Sequence, residues 1–88
     1  MKLRAVQVMT EIVAQKFDPI LHPDLVDMLL NTGEAQLCEV ASPRSRKRDE
    51  SKGRKPFWSC YKSDRVGDNH LGQILMNRRA LLRLRLAV

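Results

Sequence analysis

The sequence predicts a small, mainly helical α+β fold: about three helices and a short two-stranded β ribbon. Three observations predict it. Apolar residues recur at intervals of three and four near both ends of the chain. Two short stretches in the middle, Gln36–Val40 and Phe57–Tyr61, have the alternation or the aromatic content of strands. With 88 residues there is room for one domain at most.

The first helix is expected from Leu3 to Phe17, with Val6, Met9, Ile12, Val13 and Phe17 on its apolar stripe. No capping residue precedes it, as expected for an N-terminus cut from something longer. Asp18-Pro19 breaks the pattern. A second helix is expected from Pro23 to Asn31, because proline suits a first helical position and Asp24 and Asp27 complement the dipole of the early turns. Leu25, Met28 and Leu29 form its stripe, and Gly33 can take the left-handed conformation that ends a helix. Between the two expected strands the chain is rich in charge and carries Ser, Gly and Pro, so a solvated, mobile loop is expected at about 44–56. The last helix is expected from His70 to Leu86 on Leu71, Ile74, Leu75, Leu82 and Leu86. Arg78 and Arg85 fall near that apolar face, where a core helix ordinarily avoids them.

Composition narrows the function. Hydrophobic residues make up 43% and charged residues 30%, the balance of a globular chain rather than a disordered one. The net charge is +6, and seven basic against two acidic residues between Arg44 and Lys55 carry five of it. Such a run raises a polyanionic partner, with Trp58 or Tyr61 stacking on bases, against the plainer reading of a solvated loop. The N-terminus lacks the uninterrupted apolar core of a signal peptide, and no stretch approaches the roughly 20 apolar residues of a membrane span. An intracellular, cytoplasmic location follows as the expectation, and with it two free thiols at Cys38 and Cys60. His22, Cys38, Cys60 and His70 lack the paired spacing of zinc modules. No phosphate loop, nucleophile elbow or HExxH is present, so neither a metal nor a cofactor is expected.

Short segments read together carry more. Ala14-Gln15-Lys16-Phe17 is followed by His22-Pro23-Asp24-Leu25 and by Leu29-Leu30-Asn31-Thr32-Gly33 running on to Leu37-Cys38-Glu39. Ala41-Ser42-Pro43, Trp58 and Gly67-Asp68-Asn69-His70-Leu71-Gly72 to Met76 come next. In this order, from about Met9 to Arg79, the chain resembles the C-terminal portion of the NADAR (YbiA-like) family of N-glycosidase domains. The family pattern there runs AxKF, hPxL, LLxTGxxxLxE, ASP, WGxG and GxNxLGxxLMxxR.

The resemblance implies hydrolysis of a ribosyl N-glycosidic bond. The implied substrates are a ribosylaminouracil phosphate of riboflavin synthesis or ADP-ribose attached to a nucleobase. It implies that Glu39 stabilises the cationic sugar and that Trp58 stacks on the base. Gly67 and Asn69 would form the turn into the last helix, with the Asn69 amide on the sugar or capping the helix. Lys16 and Arg79 would contact phosphate. Each has a plainer alternative: a strand-end carboxylate paired with an arginine for Glu39, a core aromatic for Trp58, and exposed or salt-bridged cations for Lys16 and Arg79. The sequence also departs from the pattern. Ser59 and Tyr61 replace glycines, Lys55 stands where an acid is expected, and Val40 is an added residue. The family's N-terminal half has no counterpart, so a fragment inactive by itself is expected to need a missing half or a second subunit. Two other functions stand beside this one: a basic nucleic-acid-binding module, and a non-catalytic remnant acting in protein interaction.

Overall fold

A computed structural model describes residues 2–62 and 64–86. Four helices follow one another: α1 (Lys2–Lys16), α2 (Pro23–Asn31), α3 (Pro43–Ser51) and α4 (His70–Leu86). The expected α1, α2 and α4 form within a residue or so of their predicted bounds.

The β ribbon does not form, and the fold is all-helical rather than α+β. Among the described residues there is no strand, only one isolated parallel bridge between Val40 and Cys60. Cys60 donates its N–H to the Glu39 carbonyl (2.8 Å) and Ala41 donates to the Cys60 carbonyl (2.9 Å). The reason lies in the segment between them. A tight connection would have returned the chain antiparallel, whereas a crossover containing a helix brings it back parallel. With so short a pairing on offer, contact stops at the single bridge.

That crossover is α3, over most of the stretch expected to be a mobile loop. Ser42 caps it, its Oγ accepting from the Ser45 N–H at 3.1 Å, and Pro43 occupies the first turn. Arg46 pairs with Glu50 one turn on, at 2.8 Å. A capping serine followed by proline was legible in the sequence; the density of charge obscured it.

The chain divides into two compact units, one holding residues up to Gln36 together with those from Ile74 onward, the other Leu37–Gln73. In the first, Val13 of α1, Val26 and Leu29 of α2, and Ile74 and Leu82 of α4 are buried. Ile12, Met28 and Leu86, expected on apolar stripes, are exposed instead. The second unit has little apolar filling, with Cys60, Tyr61 and Pro56 buried. A disulfide joins Cys38 to Cys60, whose Cα atoms are 6.3 Å apart, inside the span a disulfide can bridge. The two free thiols expected from the sequence are therefore one bond. Twenty-two residues separate them, and only folding shows them to be neighbours. No helix among the described residues is long and apolar enough to cross a membrane.

Candidate active site

The second unit is organised around the start of α4. Gly67 has φ 139°, and a Cβ there would run into the Ser59 carbonyl oxygen and lie 2.9 Å from Cys60 Cα. Glycine is needed both for the conformation and for the space. The next four N–H groups are then donated in succession: Asp68 to the Pro56 carbonyl (2.8 Å), Asn69 to Ser59 (3.1 Å), His70 to Phe57 (3.1 Å) and Leu71 to Trp58 (3.0 Å). Helix N-termini attract anions because their first N–H groups lack partners. Here the carbonyls of the 56–59 turn satisfy the first of them.

Asn69 is the centre of the arrangement. Its backbone is left-handed (φ 49°), which asparagine tolerates better than most residues. Its carbonyl accepts from Gln73 N–H at 3.0 Å, the first intrahelical bond of α4. The side-chain amide faces a different way. Nδ2 donates to the Leu37 carbonyl at 2.8 Å, and Oδ1 accepts from the Glu39 N–H at 3.0 Å. One amide thus supplies the donor and acceptor that a neighbouring strand would have offered. Gly72 leaves room for this, since a Cβ there would strike both the Leu37 carbonyl and the Asn69 amide.

Glu39 is consequently held on both sides. Its N–H goes to Asn69, its carbonyl to Cys60, and its neighbour Cys38 is covalently tied to Cys60. The carboxylate is exposed and makes no ion pair among the described residues.

The aromatic residues of this unit form a short series. The Trp58 and Phe57 rings meet edge to face with centroids 4.8 Å apart, and Phe57 lies tilted against His70 at 4.2 Å. Trp58 is half-buried. Tyr61 turns to α3: its hydroxyl donates to Asp49 at 3.4 Å, and the Arg46 guanidinium lies 4.3 Å over its ring. Burial, reinforced by the negative charge of Asp49, pushes the Tyr61 phenol above its ordinary pKa.

Glu39, Trp58, Gly67 and Asn69 therefore share one unit, while Lys16 and Arg79 belong to the other. Lys16 is exposed beside the Phe17 ring, its ammonium 5.9 Å from the centroid. Arg79 is buried (6% exposed), and its Nη1 donates to Thr32 Oγ1 at 2.7 Å. Thr32 in turn donates to the Leu29 carbonyl at 2.6 Å. Arg78 donates to the Phe17 carbonyl (3.2 Å) and Arg83 to the Gly33 carbonyl. Arg78, which seemed misplaced on α4, thus joins Arg79 and Arg83 in satisfying oxygens at the C-terminal ends of α1 and α2, where helix dipoles favour positive charge, whereas Arg85 is exposed.

Sequence reasoning gave no part in the site to Phe57, His70, Gly72 or a bond between Cys38 and Cys60. Gly72 lay inside the quoted motif, and its i+3 spacing from Asn69 was the available signal. Among the described residues no group of three or more His, Cys, Asp or Glu is placed to hold a metal ion.

Over most of its length the chain is similar to an N-glycosidase. That relative is N-glycosidase Npun_R5314 of Nostoc punctiforme, 35% identical over 77 residues, which are 88% of this chain and 40% of the relative. The chain thus spans less than half the length of the relative it matches. No family model and no solved structure matches it.

Proposed function

We propose that the chain carries the C-terminal part of a NADAR-type N-glycosidase site and takes part in hydrolysis of a ribosyl C–N bond. The reading rests above all on Glu39, an exposed carboxylate with no ion pair among the described residues, whose backbone is fixed by Asn69, Cys60 and the disulfide. Similarity to an N-glycosidase over 77 residues supports it. The substrate class is a ribosylaminouracil phosphate of riboflavin synthesis or ADP-ribose on a nucleobase. As the C–N bond breaks, positive charge develops on the sugar, water adds to the anomeric carbon, and the departing nitrogen takes up a proton. A fixed carboxylate serves such a state best when its position costs nothing at the moment of reaction. In this scheme Glu39 stabilises the cationic sugar and Trp58 offers a face for the base. Gly67 and Asn69 hold the Glu39 segment in place, making Asn69 a positioning residue. Lys16 and Arg79 belong to the other unit and take no part in this scheme; Arg79 is buried and donates to Thr32 Oγ1.

Thermal unfolding of the chain with millimolar ADP-ribose tests the pocket. At about ten times Kd, a ligand preferring the native state adds about 1.4 kcal/mol. Glu39→Gln should keep that shift while abolishing release of ADP-ribose and unmodified nucleoside from an ADP-ribosylated nucleoside. A melt indifferent to both ADP-ribose and ribose 5-phosphate would overturn the reading for this chain.

A further inference from the structure

We propose that the outward face of α3 is a polyanion-binding surface that takes the sugar–phosphate backbone of a nucleic acid. The two sides of this helix differ in what their charges do. On one, Arg46 pairs with Glu50 and with Asp64, both at 2.8 Å, and lies over the Tyr61 ring. Asp49 accepts from the Tyr61 hydroxyl and pairs with Arg54 at 3.3 Å. These contacts, with the Ser42 cap, fasten α3 within its unit. On the other, Arg44 is followed at helical spacings of three and four by Lys47 and Arg48. All three are exposed, and none has an ion pair among the described residues.

Like charges at that spacing weaken an isolated helix by a few tenths of a kcal/mol per pair. The sequence of α3 has no apolar residue with which to offset this. The helix is therefore held folded by its far side while its repelling cations are kept in a fixed array. Such an array suits a ligand with closely repeated negative charge. From Arg44 to Arg48 the helix rises about 6 Å, close to two nucleotide steps at about 3.4 Å each. Guanidinium groups pair with phosphate through two parallel hydrogen bonds. A membrane surface fits less well, since a helix that lies in a bilayer interface needs an apolar face to bury. The surface uses none of Glu39, Trp58 or Asn69, so it stands or falls apart from the glycosidase reading.

The test is binding of the full chain to fluorescent single- and double-stranded oligonucleotides of unrelated sequences, followed by anisotropy across a salt series. Phosphatidylserine vesicles provide the competing partner. Lys47→Gln/Arg48→Gln is compared with the charge-matched Arg4→Gln/Arg85→Gln, and circular dichroism checks that both fold. The parent should bind with an affinity that falls linearly in log salt. The α3 double variant should flatten that slope by about 1.4 for single strands or about 1.8 for duplex, and the control should leave it unchanged. No oligonucleotide binding at low salt, equal losses in the two variants, or binding to vesicles alone would overturn the proposal.

Discussion

The arginines of α4 and those of α3 are the same residue put to opposite uses. On α4, Arg78, Arg79 and Arg83 donate within the first unit to the Phe17 carbonyl, the Thr32 hydroxyl and the Gly33 carbonyl. None of these acceptors is a carboxylate. On α3, Arg46 meets carboxylates at 2.8 Å, while Arg44 and Arg48 face solvent. A guanidinium can be buried if its N–H groups find acceptors, and unsatisfied carbonyls at helix ends are acceptors in need of donors. The lesson is that basic residues near an apolar stripe need not signal an anionic ligand; they can close helix ends from within.

Substitutions should separate the two sets, beginning with the largest effect. Arg79→Met keeps much of the volume but removes a charged hydrogen bond from a buried site, and should cost about 2–3 kcal/mol in denaturant unfolding. Arg48→Met on α3 should stay within about 0.5 kcal/mol in the same experiment. A comparable loss from both would erase the distinction.

The units also differ in how they are held. Helix packing supports the first, whereas the second relies on a disulfide, an asparagine amide and Tyr61. Opening the Cys38–Cys60 bond should therefore cost about 3 kcal/mol, the chain-entropy value for a loop of this size. The change should register at Trp58, the only tryptophan in the chain, well before helical circular dichroism is lost. Asn69→Ala removes both bonds to the Leu37–Glu39 backbone and leaves an alanine in a left-handed conformation, for about 2 kcal/mol. Asn69→Gly loses the same two bonds without the conformational part, so its loss relative to the parent measures the clamp, and the difference between the variants measures the left-handed strain.

The smallest effects are in pH. The hydrogen bond from Arg46, helped by the Val66 N–H, holds the Asp64 carboxyl below its ordinary pKa. A depressed carboxylate stabilises the fold above its unfolded pKa of about 4, and that contribution is lost as pH falls through the folded value. Tyr61 has the reverse sign: a raised phenol favours the fold up to its unfolded pKa of about 10, and the benefit goes as pH rises through the folded value. Tyr61 is the only tyrosine, so tyrosinate absorbance reports it directly. Asp49→Asn should bring its midpoint back toward the ordinary one.

Much of the helical framework was legible in the residues. The three-and-four spacing, the break at Asp18-Pro19, Pro23 at a helix start and Gly33 at its end are local signals, and α1, α2 and α4 follow them. The ordered segments from Ala14 to Met76 likewise pointed to an N-glycosidase, in keeping with the similarity found over 77 residues. Glu39 and Asn69 could be singled out as candidates, though the sequence did not reveal that one positions the other.

What only tertiary structure decided depends on contacts between distant residues. Gln36–Val40 alternates like a strand, yet its partner is an asparagine side chain 30 or more positions away and a single bridge at Cys60. The charged stretch from Arg44 reads as a loop, yet Tyr61 and Asp64 fasten it as a helix. Cys38 and Cys60 are neighbours only because α3 carries the chain away and returns it in parallel. Periodicity encodes which face of an element is apolar. Which side chain completes a neighbour's backbone hydrogen bonds is settled only when the elements meet.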